Sequence, residues 1–394
     1  MSLTHLSGQH AGDSPQLPRA VVGLGLALFF TAMGANAFVQ FVVAYLVTIK
    51  GWSSDQATLI LILAFTLMPL ARLGYNALEQ RLGEYGVLVL GSGLFMVWLG
   101  LLQWGAAPWV IGPAAVALSF AGTLVFTAGP LRILAATPAS QHGVASGLYF
   151  ASNFLAWFVS VTVQGQVVRR LGFEPTLWVA WGASGVGLLL LLALPRYRQA
   201  SALAHQADWL APLRSGRYRL VMGFMALSAV AFGLMFGSLA QSITLTFGVD
   251  LTAIALSGFY LARLPGSLFA GWLVQRYGEH RLLAVTFGFA GLTLLAVSVN
   301  SQHFPLTLGA ILALGFQQAT VPVAAMALVG SAEVGNARQT GFGLLFAASE
   351  LGVAFALTLG QVAGNWLGNA GAVCLVFGAL YGLGSLAAWR LRQQ

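Results

Sequence analysis

Long apolar runs recur along the whole chain, and they constrain its fold more than any other feature. A run of about 20 apolar residues is the length at which a helix crosses a bilayer. Twelve such segments can be laid out, at residues 20–47, 56–79, 86–104, 109–134, 142–166, 176–195, 219–246, 253–275, 281–299, 304–330, 340–363 and 370–389. Only 7% of the residues are charged, against about 25% in a soluble domain. The sequence therefore predicts an all-α membrane protein with twelve transmembrane helices.

One long polar stretch interrupts this pattern between the sixth and seventh segments. It reads "RYRQASALAHQADWLAPLRSGRYR" at residues 196–219 and divides the apolar segments into two groups of six. The predicted organisation is a cytoplasmic tail at 1–19, a six-helix bundle at 20–195, a cytoplasmic linker at 196–218, a second six-helix bundle at 219–389 and a short cytoplasmic tail at 390–394.

The two groups of segments also contain related sequences. "NALEQRLGEY" at 76–85 resembles "GWLVQRYGEH" at 271–280, and "GLYFAS" at 147–152 resembles "GLLFAA" at 343–348. The offsets are 195 and 196 residues, close to half of the chain. This repeat predicts two pseudo-symmetric halves, an arrangement in which transporters place the substrate near the membrane midplane between the halves.

Basic residues are distributed asymmetrically between alternate loops. If the N-terminus is cytoplasmic, the loops on that side hold twelve arginines, and the opposite loops hold only Lys50, Arg169 and Arg170. Because cytoplasmic loops are enriched in Lys and Arg, we expect both termini in the cytoplasm of a bacterial-type inner membrane. The same bias explains the net charge of +8 without a nucleic-acid partner.

The repeated loop resembles a signature of the major facilitator superfamily, G-x-L-a-D-R-x-G-R-R, with a weaker second copy in the other half. The matching positions in the two copies include Gln80, Arg81 and Gly83, and Gln275, Arg276 and Gly278. Both copies have glutamine where the family usually has aspartate, and Glu84 or Glu279 where it has a basic residue. The resemblance implies a monomeric secondary transporter that works by alternating access and uses these loops in conformational gating.

Four charged side chains fall inside predicted spans, where a charge at the bilayer centre costs about 2.5–3.5 kcal/mol on insertion scales. They are Arg72, Arg132, Arg263 and Glu350, on the second, fourth, eighth and eleventh segments. In the superfamily these helices line the central cavity or lie beside it, so Arg72, Arg132 and Arg263 are predicted to bind the substrate. Arg72 and Arg132 could instead extend to the cytoplasmic face, and Arg263 and Glu350 could instead form a purely structural ion pair.

Arg263 is interpreted as a cavity-lining cation for a small anionic substrate, such as a carboxylate or an inorganic oxyanion, because guanidinium keeps its charge when poorly solvated. Glu350 is interpreted as the proton-coupling group, paired with Arg263 until it is protonated, which would give proton–anion symport. The alternative is proton-driven efflux of a drug-like or cationic amphipathic compound, with Glu350 as the counter-charge. A membrane enzyme or a receptor on the same fold is the third class.

Polar and aromatic residues on the cavity-side segments extend the predicted substrate site: Asn36, Gln40, Asn153, Trp157, Gln241 and Tyr260. Each could instead serve only interhelical packing or hydrogen bonding. The chain has no P-loop lysine motif and no H-E-x-x-H motif, and its six histidines fall in predicted tails and loops. Its lone Cys374 excludes a zinc site of paired cysteines. We therefore expect no enzyme activity, no cofactor and no metal.

Overall fold

The computed structural model describes residues 19–36, 38–105, 107–135, 142–194, 211–330, 338–367 and 370–391. Within these ranges the chain is helical and contains no β-strand. The predicted N-terminal tail and most of the predicted linker lie outside the described residues. The predictions for those two segments are therefore not tested.

In the part of the first half that the structure describes, six α-helices pack against one another. They are α1 (Arg19–Thr31), α2 (Val42–Lys50), α3 (Ser54–Trp104), α4 (Ile111–Ala135), α5 (His142–Leu171) and α6 (Glu174–Ala193). A π-helical turn at Ala32–Asn36 separates α1 from α2, so the first predicted segment is an interrupted helix rather than a continuous one.

Among the described residues of the second half there are eight α-helices, of which two are short. They are α7 (Ala211–Arg214), α8 (Gly216–Phe236), α9 (Ser238–Phe247), α10 (Val249–Tyr277), α11 (Glu279–Val299), α12 (Phe304–Gly330), α13 (Arg338–Leu367) and α14 (Ala370–Leu391). The seventh predicted segment is divided between α8 and α9 by Gly237. Helical structure is present at all twelve predicted positions.

Nine helical stretches in the described part of the chain are long and apolar enough to cross a membrane. One of them, α3, has 51 residues and turns sharply at Gly83, so it contains the second and third predicted segments. These stretches support a multi-pass membrane protein.

The turns in the two copies of the repeated loop have the same backbone conformation. Gly83 has φ 70° and ψ 165°, and Gly278 has φ 77° and ψ 152°. A positive φ favours glycine because a side chain would clash with the backbone. The repeat seen in the sequence therefore extends to the backbone, since equivalent glycines turn the chain between equivalent helices.

The two halves meet mainly along two pairs of helices, α3 with α13 and α5 with α10. Within the α5–α10 pair, the Thr162 and Ser257 hydroxyl oxygens are 3.1 Å apart. Two further contacts lie at one end of these helix pairs. Between the start of α3 and the end of α13, Gln361 Nε2 donates to Asp55 Oδ1 at 2.5 Å. Between the start of α10 and the end of α5, the exposed Arg169 lies 3.5 Å from Asp250. The halves are thus joined at the end remote from the Gly83 and Gly278 turns, and opening at that end requires these interactions to break.

Within the second half, Gly352 of α13 allows the closest helix approach. A Cβ atom at this position would collide with the backbone of Ala226 on α8. A Cβ atom at Gly343, on the same helix, would meet no atom within 4 Å. Gly352 and Gly343 therefore differ, because of these two glycines only Gly352 is required for packing.

We expect Gly352→Ala to destabilise the protein by about 1–3 kcal/mol, the usual cost of overpacking a tight contact. Gly343→Ala is the matched control and should be neutral or stabilising by about 0.5–1 kcal/mol, because alanine is the better helix former. Thermal unfolding of the purified variants measures both. Equal melting temperatures for the two variants would contradict the close approach of α13 to α8.

Candidate functional site

Arg263 lies in α10, one of the two helices of the second half that pack most extensively against the first half. Its side chain is buried, with the residue only 4% exposed. Its Nε and Nη1 atoms have no hydrogen-bond partner in the part of the chain that the structure describes. No carboxylate of the described residues forms an ion pair with it. Among these residues, Arg263 is therefore a buried cation whose charge is not balanced.

Aromatic rings surround the guanidinium in place of a carboxylate. Its central carbon lies 3.8 Å from the ring centroid of Phe154, 4.3 Å from that of Phe232, 5.5 Å from that of Tyr260 and 5.8 Å from that of Phe259. These four rings come from α5, α8 and α10, so both halves contribute. Ring faces attract a cation, but they offer the N–H groups no carboxylate or carbonyl oxygen.

These rings belong to a larger group, here called the aromatic cluster. It consists of Phe65, Phe154, Trp157, Phe232, Phe236, Phe259 and Tyr260. Several ring pairs cross between the halves: Trp157 lies 5.1 Å from Tyr260 and 5.7 Å from Phe232, and Phe65 stacks on Phe236 at 5.7 Å. The cluster is therefore an aromatic layer at the interface between the halves, with Arg263 against it.

Two hydrogen bonds position the predicted polar residues around this layer. Gln40 Nε2 donates to the Tyr260 hydroxyl at 2.6 Å, which links the first half to the second. Trp157 Nε1 donates to Asn153 Oδ1 at 3.0 Å, one turn earlier on α5. The buried Gln40 Oε1 has no partner in the described residues. Tyr260 thus lies beside Arg263, and both Gln40 and Trp157 contact Tyr260. A substrate role for Gln40, Asn153, Trp157 and Tyr260 stays a prediction.

Glu350 pairs with Arg72, and the predicted pairing with Arg263 is wrong. Arg72 Nε donates to Glu350 Oε2 at 3.0 Å, and Arg72 Nη2 donates to Glu350 Oε1. Arg72 Nη1 donates to the hydroxyl of Thr127 on α4 at 2.5 Å. Both charged residues are buried, at 4% and 8% exposure. Because Arg72 is on α3 and Glu350 on α13, this bidentate pair joins the two halves.

Across the described residues, the buried interface therefore holds one neutral pair and one unbalanced cation. A bidentate arginine–carboxylate pair satisfies both partners and fixes their geometry. Arg72 could have extended to the cytoplasmic face on the sequence alone, but it is held in the interior by Glu350. The charge that needs a partner is that of Arg263.

The other predicted site residues lie elsewhere. Arg132 is partly buried and pairs with Glu84, beside the Gly83 turn, at 3.5 Å, so its charge is balanced by the loop motif. Gln241 is exposed on α9. Asn36 ends the π-helical turn, and its side chain lies outside the described residues. These three residues are not brought to Arg263 by any described contact.

The gating-motif residues lie at the loops, as the resemblance implies. Gln80 and Arg81 lie at the end of the first part of α3, where Arg81 is exposed. Arg276 is exposed and lies against the rings of Trp272 and Tyr277. The side chain of Gln275 lies outside the described residues. A gating role for the motif stays a prediction.

The phenylalanines of the aromatic cluster and Thr127 were not predicted from the sequence. Phenylalanine is abundant in this chain, with 26 copies, so a single one carries no signal. One pattern could have indicated part of the cluster: Phe259 and Tyr260 precede Arg263 by four and three residues. Side chains at that spacing share a helix face.

The comparisons with known proteins agree with this fold. A model of the Major Facilitator Superfamily matches residues 221–394. An uncharacterized MFS-type transporter of Pseudomonas aeruginosa (strain UCBPP-PA14) is 33% identical over 175 residues, 44% of this chain and 42% of the relative. The 3-(3-hydroxy-phenyl)propionate transporter of Escherichia coli (strain K12) is 30% identical over 174 residues, 41% of this chain and 43% of that relative. Each match spans less than half of the relative's length.

The similarity to a solved structure extends over nearly the whole chain. The crystal structure of the nucleoside transporter NupG has a TM-score of 0.74, with coverage of 96% of this chain and 100% of that chain. At 13% identity this likeness concerns the fold alone. The family model matches the second half of the chain, and the fold resembles that of a solved transporter along both halves. The chain is therefore a multi-pass membrane protein whose second half is similar to the Major Facilitator Superfamily.

Proposed function

We propose that the protein is a secondary active transporter of a small anion, preferably a carboxylate, and that Arg263 binds the anion. The observation that carries the proposal is the unbalanced guanidinium of Arg263, buried at the interface between the two halves. In alternating access, that interface is where the substrate is exposed first to one side of the membrane and then to the other.

The energetics of Arg263 favour a ligand over a purely structural role. Each buried donor without a partner costs about 1–3 kcal/mol, and more when it is charged. A cation–π contact returns about 0.5–2 kcal/mol, and four rings lie within 6 Å of the guanidinium. The rings can offset burial of the charge, but the N–H groups of Nε and Nη1 still need oxygen acceptors. A carboxylate supplies two acceptor oxygens to one edge of the guanidinium, either to Nε with Nη2 or to Nη1 with Nη2, and so satisfies one of these donors.

One relative supports the carboxylate class. The Escherichia coli protein that resembles this chain is named as a transporter of 3-(3-hydroxy-phenyl)propionate, which is a carboxylate. The alignment covers 43% of that protein, so the name supports the proposal without defining the substrate here.

Proton coupling through Glu350 is also part of the proposal. Because Glu350 pairs with Arg72, it does not compete with the anion for Arg263, and its proton must act in another way. Protonating Glu350 removes the charge that holds Arg72, and so weakens the bridge between α3 and α13. A proton taken up at the bridge and an anion taken up at Arg263 would then promote the same movement of the halves. The coupled cargo would be proton plus anion, moving across the inner membrane.

Efflux of a cationic compound is the alternative function, and the interactions of Glu350 do not favour it. A cation that binds to Glu350 must displace Arg72, which forms a buried bidentate pair with this carboxylate. It must also enter an interface that already holds the uncompensated charge of Arg263. Both requirements oppose binding of a second cation.

The test is counterflow in liposomes that contain the purified protein and are preloaded with one candidate solute. We expect exchange of labelled small carboxylates and none of quaternary ammonium compounds, because Arg263 attracts anions and repels cations. Protein-free liposomes are the control for leakage. Counterflow of the cations without any of the acids would contradict the proposed function.

A further inference from the structure

We infer that the anion bound at Arg263 carries an aromatic ring, so that the substrate class is an aromatic carboxylate held by Arg263 at one end and by the aromatic cluster at the other. This inference rests on the proposed function. It specifies the uncharged part of the substrate, which the charge of Arg263 does not define.

The placement of the aromatic cluster supports it. Phe65, Phe154 and Trp157 come from the first half, and Phe232, Phe236, Phe259 and Tyr260 from the second. The rings that meet between the halves include two nearly parallel pairs, Phe65 with Phe236 at 20° and Trp157 with Phe236 at 22°. Rings that join the halves must separate when the halves move. Separation uncovers ring faces on both sides, and a planar substrate ring can take the place of the former partners.

The geometry at Arg263 determines how a bound anion is oriented in the site. The guanidinium lies against Phe154 and Phe232, at 3.8 Å and 4.3 Å from their centroids. Both rings are part of the cluster, and Phe232 lies 5.7 Å from Trp157. A carboxylate that pairs with Arg263 therefore has its remaining atoms next to ring faces. The N–H groups fix the charged end, and the rings supply the surface for the other end.

Trp157 is the residue that determines this ring specificity. It contacts Phe232, Phe236 and Tyr260 across the interface, and its indole is fixed by the hydrogen bond to Asn153. A rigid, hydrogen-bonded indole presents a defined face for stacking. Offset stacking and edge contacts favour an aromatic ligand beyond the effect of buried area alone.

The experiment compares four ligands by competition in the counterflow assay and by direct binding to the purified protein: 3-phenylpropionate, 3-cyclohexylpropionate, propionate and 3-phenylpropanol. We expect 3-phenylpropionate to bind about three- to tenfold more tightly than the cyclohexyl acid, as expected for aromatic pairing. A cyclohexyl group buries at least as much apolar surface, so a site that recognises only area would not prefer the phenyl acid. Propionate and the alcohol should bind at least about tenfold more weakly.

Two variants test the role of the indole. Trp157→Leu should weaken binding of the phenyl acid to the level of the cyclohexyl acid and so remove the preference between them. Trp178→Leu is the matched control, since Trp178 is 52% exposed on α6, and this variant should keep the preference. A loss of fold in Trp157→Leu is recognised by its melting temperature, and Trp157→Phe, which keeps a ring, should then preserve the preference.

The outcomes separate this inference from the proposed function. Equal binding of the phenyl and cyclohexyl acids, with both dependent on Arg263, overturns the aromatic class and leaves anion transport standing. Binding of 3-phenylpropanol as tight as that of the acid overturns the assignment of an aromatic carboxylate. Absence of binding or exchange for every acid overturns both.

Discussion

Replacing Arg263 by leucine is expected to abolish anion transport and yet to raise the melting temperature of the ligand-free protein. Transport fails because the substitution removes the only buried guanidinium without a carboxylate in the described residues. Without its charge-assisted bidentate hydrogen bonds, a buried site binds a carboxylate about a hundredfold more weakly. Stability rises because the leucine fills the space without leaving buried donors unpaired. Trade-offs of this kind are typical of functional sites.

The lysine variant separates charge from geometry at the same position. Arg263→Lys keeps a cation but lacks the planar fork, so we expect it to recover transport poorly. Binding, measured by calorimetry, and melting temperature, measured without ligand, should be recorded for both variants. Full transport by Arg263→Leu would rule out the anion role. A lower melting temperature of Arg263→Leu would instead indicate that the interactions of Arg263 with the aromatic rings stabilise the protein.

The sequence predicts the architecture well because its signals are long or repeated. The helices at all twelve predicted positions follow from runs of about 20 apolar residues. The Gly83 and Gly278 turns follow from a motif present in two copies, and both glycines have positive φ. Interruptions such as the π-helical turn that ends at Asn36 and the break at Gly237 leave no such signal, because the apolar pattern continues through them.

The partners within the site could be predicted only in part, and Glu350 shows why. Its similar depth to Arg263 suggested that these two residues pair. Depth along a helix does not define which way a side chain points around the helix axis, nor which helix of the other half faces it. Arg72 was placed inside a predicted span, with extension to the cytoplasmic face as the alternative, but its hydrogen bonds with Glu350 join positions 278 residues apart. The aromatic cluster has the same difficulty, since its rings come together from four helices.

Replacing Glu350 by glutamine is expected to separate exchange from accumulation. Glutamine resembles the protonated carboxyl group in shape and charge, so the variant has no proton to release or take up. Arg263, the proposed anion-binding residue, forms no ion pair with Glu350 in the structure, so the variant should still bind the anion. We therefore expect near-normal counterflow and little or no accumulation of the anion on an inward proton gradient.

The matched control is Glu84→Gln. Glu84 is also a carboxylate paired with an arginine, Arg132, but its side chain is more exposed than that of Glu350. It belongs to one loop of the first half and does not bridge the halves. This variant should keep gradient-driven accumulation close to that of the natural protein, because the Glu84–Arg132 pair does not join the two halves.

Stability measurements distinguish a coupling group from a structural ion pair. Breaking a buried pair by removing one partner costs about 3–5 kcal/mol, because the other charge is left uncompensated. Arg72→Gln and Glu350→Gln should each lower the melting temperature, and the double variant should recover part of the loss. If the pair is only structural, the double variant will also recover accumulation. If Glu350 carries the proton, the double variant will regain stability but not gradient-driven uptake. Gradient-driven uptake that survives in the single variant Glu350→Gln would show that another group carries the proton.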